Sequence, residues 1–234
     1  MTNLFNPIIL ISKIGVAFYT GSWKTPPRDQ LSSTIWWKLV IQRQRRLTQN
    51  QQYKVGLFGD SITAPLGNSL GQEIFNFAIT AMSTRSLVEQ LKVLVDSQVK
   101  CETAIVAIGS NDAWYDINDE TFVQLMKEAV YLLQLMGATK IVILPAFYSS
   151  VAAAKNPFLA GTLARVEEIN ALLRQVAVTE NVDFADKEIE VLFENKAMKA
   201  NFTADGVHLN SLGLRAYRQV LLDIISTIAI RSES

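Results

Sequence analysis

From Lys54 onward, short apolar runs alternate with segments of helical period, and this alternation constrains the fold more than any other feature. "KVGLF" from Lys54, "EIFNFAI" from Glu73, "ETAIVAIG" over 102–109, "TKIVILPA" over 139–146 and "VDFAD" from Val182 read as strands. Residues 83–98 open on Ser83 or Thr84 and place apolar residues at 87, 88, 91, 94 and 95, the spacing of one helix face. Further helices are expected over 118–137, closed by Gly137, from about 157 to 180, and over 210–230. Strands separated by helices imply a parallel sheet covered on both faces. The expected fold is α/β: a three-layer α/β/α sandwich, flavodoxin-like, with a mostly parallel sheet of about five strands.

The first 53 residues differ in character and are read as an amino-terminal extension to a domain spanning 54–234. "PIILISKIGVAFYTG", 7–21, is apolar but broken by Lys13. As a helix it would reach only about 20 Å, short of the roughly 30 Å hydrocarbon core. It has neither a positive leading region nor a small-residue cleavage pattern, so the chain reads as soluble and cytoplasmic. Pro26-Pro27 marks a loop. After it, "STIWWKLVIQRQRRLTQN" is expected to form a capped amphipathic helix. Ile35, Trp36, Leu39, Val40 and Leu47 fall broadly on one side, with Lys38, Arg43, Arg45 and Arg46 elsewhere. Residues 1–54 hold eight Lys or Arg against the single acid Asp29, although the whole chain is neutral. Such a basic arm can lie on the acidic body of the domain or dock peripherally on a membrane, the alternative location. Nucleic acid is not expected as a partner, and the oligomeric state is not legible.

Composition is that of a globular protein, 49% apolar and 19% charged. A single cysteine, Cys101, precludes an internal disulfide, and with one histidine a dedicated zinc cluster is not expected. No metal and no cofactor are assigned.

Chemistry concentrates where strands end, the edge at which parallel sheets bind ligands. "KVGLFGDSITAP" runs a strand into Gly59, which lets a backbone turn through angles others avoid, and delivers Ser61 to the strand end. His208 is the only histidine, so an imidazole-activated serine would depend on it. Asp205, three residues earlier, is placed to orient that ring. Asn111 in "IGSND" sits at another strand end, where an amide can stabilise an oxyanion. Each segment alone also suits an ordinary turn. Together they form a nucleophile, base, orienter and oxyanion donor.

At these residues the sequence resembles the SGNH hydrolases, the GDSL esterase/lipase family. "FGDSIT" is similar to its first block, "GSND" to its third and "DGVHLN" to its last. The resemblance covers about 54–230 and implies Ser61, Asp205 and His208 as the catalytic triad. It implies an oxyanion hole of Asn111 and the backbone N–H groups of Ser61 and Ala81. In the second block, "NFAITAMST", Asn76 matches the family pattern, while Ala78 and Ala81 replace glycines. Alanine serves at 81 without cost unless that position needs a positive φ, where strain would approach 1 kcal/mol or more, on the order of other left-handed non-glycine residues. The implied activity is hydrolysis of carboxylic esters through an acyl-enzyme. Acyl transfer to an alcohol and a catalytically silent binding module are the alternatives. Trp114 and Tyr115 are candidate substrate-pocket walls, and 144–158 a candidate rim.

Overall fold

A computed structural model describes residues 29–232. The apolar stretch 7–21 and the Pro26-Pro27 loop lie outside the described residues. In chain order the elements are α1 (Ile35–Thr48), β1 (Gln52–Gly59), β2 (Ile74–Asn76), α2 (Thr84–Asp96), β3 (Lys100–Ala107), α3 (Ser110–Tyr115), α4 (Asp119–Leu135), β4 (Lys140–Leu144), α5 (Val151–Ala154), α6 (Leu163–Thr179), β5 (Asp183–Phe184), the hairpin β6 (Phe193–Glu194) and β7 (Ala197–Met198), and α7 (Ser211–Ser232). Strands β1 to β5 make one sheet in the order β2-β1-β3-β4-β5, with every pairing parallel.

Side-chain alternation along the strands produces two apolar layers. Ala104, Val106, Ile141 and Ile143 face α2, α4 and α6, whose Leu87, Leu91, Met126, Val130, Ile169 and Leu173 complete one cluster. Ile105, Ala107, Val142 and Leu144 face the other way, onto Tyr217, Leu221 and Ile224 of α7. The molecule is therefore a three-layer α/β/α sandwich, as the alternation of runs implied.

Several boundaries move for local reasons. The second strand ends at Asn76, where the side chain accepts the Ala78 N–H at 3.0 Å and the chain enters a turn closed by Met82 N–H to Ile79 carbonyl. Helix α2 starts with a reciprocal capping box between Ser83 and Ser86. Helix α6 begins at Leu163, not near 157, with Thr162 accepting the Arg165 N–H. The preceding residues fold onto Asn156, whose carboxamide oxygen accepts the Phe158 N–H and whose carbonyl accepts the Leu159 N–H.

Helix α1 forms where expected, capped by Thr34; Trp36 and Val40 of the expected side pack partly buried on the core, but the face is rotated. Trp37 and Ile41 enter the core at 5% and 9% exposure, whereas Ile35, Leu39 and Leu47 stand 77%, 61% and 59% exposed. Polar contacts fix this rotation: Gln44 donates to the Phe77 carbonyl at 3.1 Å and accepts from Gln90 at 2.8 Å. Among the described residues no helix is long and apolar enough to cross a membrane.

Candidate active site

The turn after β1 carries Ser61. Gly59 does not adopt a left-handed backbone; what it supplies is space. A Cβ there would lie 2.6 Å from Thr63 Oγ1 and 3.0 Å from the Ala107 carbonyl oxygen, so the turn could not close against β3. Behind it, Thr63 Oγ1 pairs with the fully buried Tyr217 hydroxyl at 3.0 Å. Asn76 donates its amide to the Thr63 carbonyl at 3.0 Å, bracing this turn from the second block.

The loop before α7 carries Asp205 and His208. Thr203 Oγ1 donates to the His208 carbonyl at 2.7 Å and accepts the Gly206 N–H at 2.9 Å. Gly206 has φ +85°, and a Cβ on it would lie 2.5 Å from Ser150 Oγ. Both angle and space therefore require glycine there. Asp205 Oδ1 accepts the backbone N–H groups of Val207 and His208 at 2.8 and 2.7 Å, while Oδ2 sits 2.7 Å from His208 Nδ1.

Across the sheet edge, His208 Nε2 lies 3.1 Å from Ser61 Oγ. Partial burial opposes ionisation of Asp205, but the His208 ring and the two backbone N–H groups outweigh it and hold the carboxyl well below the usual range. The hydrogen bond that His208 donates to Asp205 raises the ring above its ordinary value, against the effect of burial. An ionised Asp205 accepts the Nδ1–H and so keeps that proton on Nδ1, which leaves the Nε2 lone pair facing the Ser61 hydroxyl.

Gly109, with φ +120°, lies just beyond β3 and, as the N-cap, places Ser110 and Asn111 at the start of α3. Asn111 Nδ2 donates to the Met82 carbonyl at 3.0 Å and faces Asp60 Oδ2 at 3.4 Å. Asp60 is buried, which lifts its carboxyl to about 6 although it accepts the Ile62 N–H at 2.9 Å.

Ala81 does adopt the left-handed backbone, at φ +63°. Its own carbonyl is 3.4 Å from the Tyr115 hydroxyl, and the next carbonyl, of Met82, is the one bound by Asn111. The strained turn is thus gripped by two residues of α3. Neither the Ser61 nor the Ala81 backbone N–H has a hydrogen-bond partner among the described residues. Ala78 has no such positive φ.

A cavity opens beside Ser61 and Asn111. Ile62, Phe147, Val166 and Val207 line it, and Trp114, Leu159, Ala160 and Gly161 cover it. Of the two candidate wall residues the structure brings Trp114 to this cavity, while Tyr115, stacked on Trp114, stands behind it against Ala81. The expected rim at 144–158 contributes Phe147 and Ser149, and residues 159–161, expected in a helix, line the cavity as well. Their signal was Asn156-Pro157, a turn-forming pair. The contact between Asp60 and Asn111 has no signature in the sequence.

A family model described as GDSL-like lipase/acylhydrolase matches residues 57–216. No curated protein matches the chain by sequence. A Streptococcus pneumonia structure named for platelet activating factor shares 20% identity, covering 80% of this chain and 92% of its own, at a TM-score of 0.69. A GDSL-like lipase of Bacteroides thetaiotaomicron is 14% identical over 82% of this chain and 97% of its own, with a TM-score of 0.66. Est24, a carbohydrate acetylesterase from Sinorhizobium meliloti, is 15% identical over 75% and 99%, with a TM-score of 0.56. At such identities these structures bear on the fold alone. The match of the family model spans most of the chain, including Ser61, Asn111 and His208, and the chain belongs to the GDSL-like lipase/acylhydrolase family.

Proposed function

We propose that the protein is a serine esterase that cleaves carboxylic esters through an acyl-enzyme. The observation that carries this reading is the 3.1 Å approach of His208 Nε2 to Ser61 Oγ, with Asp205 seated on the other ring nitrogen at 2.7 Å. Ser61 Oγ attacks the ester carbonyl carbon as its proton passes to Nε2. Asp205 stabilises the resulting imidazolium. The oxyanion is received by the N–H groups of Ser61 and Ala81 and by Asn111, whose second amide hydrogen turns from its long contact with Asp60. His208 then protonates the departing alkoxide, and the alcohol leaves. Water attacks the acyl-Ser61 carbonyl, losing its proton to Nε2; the Oγ–acyl bond then breaks, Ser61 Oγ takes that proton back, and the free acid departs.

The test is hydrolysis of p-nitrophenyl acetate and butyrate, with stoichiometric labelling by a fluorophosphonate. Wild-type protein should release p-nitrophenol and take up one label on Ser61. Ser61→Ala should lose both, and His208→Ala should slow both by roughly three orders of magnitude or more, as loss of a triad base does elsewhere. Activity or labelling that persists in Ser61→Ala would overturn the assignment.

A further inference from the structure

We infer that the cavity beside Ser61 is the acyl site and that it accepts acyl groups of about two to four carbons, with the strap 156–161 as the length limit. The inference rests on the serine-esterase reading and names its substrate class.

Direction comes first. The leaving alcohol must depart where His208 can protonate it. The cavity is lined by Asn111, Trp114, Phe147 and Val207, and His208 is not among its lining residues. An ester carbonyl with its oxygen at Asn111 would therefore send its acyl chain into this space.

Depth follows from what encloses it. The cavity holds about 420 Å³ including its open mouth. That is the small end of ligand pockets. The floor does not yield easily. Phe147 is buried, packed edge-on against Tyr217 and Phe193, and Val166 belongs to the core under α6.

The strap forms one wall. Trp114 Nε1 donates to the Pro157 carbonyl at 2.9 Å, fastening the strap to α3. At its far end Gly161 lies so close to α3 that a Cβ would sit 2.8 Å from the Ala113 carbonyl. Between these two points Leu159 and Ala160 line the cavity. A longer acyl chain directed at this wall would have to lift the strap from α3, breaking the Trp114 contact.

The experiment compares kcat/KM for p-nitrophenyl acetate, butyrate and octanoate, all below micellar concentration. The wild type should favour acetate or butyrate over octanoate by tenfold or more. Leu159→Ala and, separately, Val166→Ala should raise the octanoate-to-acetate ratio about tenfold, with the fold checked by circular dichroism. An active wild type that prefers octanoate overturns the acyl-length inference and leaves the esterase reading standing. A ratio unchanged in both folded variants also overturns it. Absence of hydrolysis of all three esters together with absence of Ser61 labelling removes the esterase reading itself.

Discussion

Asp205 meets His208 twice, with Oδ1 on the backbone N–H at 2.7 Å and Oδ2 on the ring Nδ1 at 2.7 Å. The backbone contact fixes where the carboxylate stands and the ring contact fixes the tautomer. The raised pKa of His208 follows from this pair. A base must be neutral to act, so kcat/KM should climb as His208 loses its proton, with an acid-limb midpoint above about 6.5. Asp205→Asn removes the charge that raises it. The midpoint should then fall, and kcat should drop about 10⁴-fold, as the equivalent change does in other serine hydrolases. A pH–rate profile of the variant with an unmoved midpoint would contradict the pairing.

Ala81 is where the family pattern and this chain part. Its φ of +63° costs an L-residue roughly 1 kcal/mol, and two neighbouring carbonyl contacts hold it there. Ala81→Gly should therefore raise the urea midpoint, by up to about 1 kcal/mol in stability. The added freedom of glycine in the unfolded chain offsets part of the gain. Ala81→Val should lower the midpoint, because a β-branched residue fits this region worse. Equal midpoints in all three proteins would mean that the turn relaxes.

Gly59 and Ala81 show how far the sequence could be read. Glycine at 59 suggested an unusual backbone angle, yet the angle lies at Ala81, and Gly59 is there for room against Thr63. Residue type alone does not separate these causes. The sheet was legible because Ala104, Ile105, Val106 and Ala107 alternate between two buried layers, giving a fully apolar run. The pairing of His208 with Ser61 was legible because no other imidazole exists. The buried face of α1 was not, because Gln44 turns inward to a carbonyl that belongs to Phe77, distant in the chain. The strap was not, because Leu159 and Ala160 are good helix formers and only Asn156 diverts them.

Gly59→Ala gives the steric argument a direct check. The added methyl would meet Thr63 Oγ1, whose own hydrogen bond reaches Tyr217, so the displacement spreads into the α7 layer. Stability should fall by about 1–3 kcal/mol, the usual range for overpacking. Thr63→Ser in the same chain should restore little, since the clash is with the oxygen as well as with Cβ. Urea denaturation of both variants reads this out.

Two buried carboxyls govern stability against pH. Burial raises Asp60 to about 6 and Asp112 to about 7, the latter despite its hydrogen bond from the Thr84 N–H. Both folded values exceed the unfolded value near 4, so the unfolded state binds fewer protons between them. Their contribution to stability is then fullest at low pH and is lost as pH rises through about 6 to 7. His208, also raised, adds in the same direction. The urea midpoint should therefore increase from pH 8 to pH 5, and Asp112→Asn should flatten part of that slope. A midpoint independent of pH in the wild type would mean that both carboxyls are solvated.

Under the proposed mechanism Asn111 has two tasks, and this sets the size of its effect. Its amide binds the Met82 carbonyl, which fixes the turn that presents the Ala81 N–H, and it faces the site beside Asp60. Losing one oxyanion donor typically costs 10²–10³ in kcat. Asn111→Ala removes that donor and also unties the second, so kcat should fall by about 10³ or more. KM should change little, because the interaction is made only with the developing oxyanion. Tyr115→Phe, which removes the 3.4 Å contact to the Ala81 carbonyl, should cost less than about tenfold. Steady-state kinetics on both variants distinguish the two tasks: comparable losses would assign Asn111 to holding the turn alone, and a far larger loss in Asn111→Ala fits a group that meets the oxyanion.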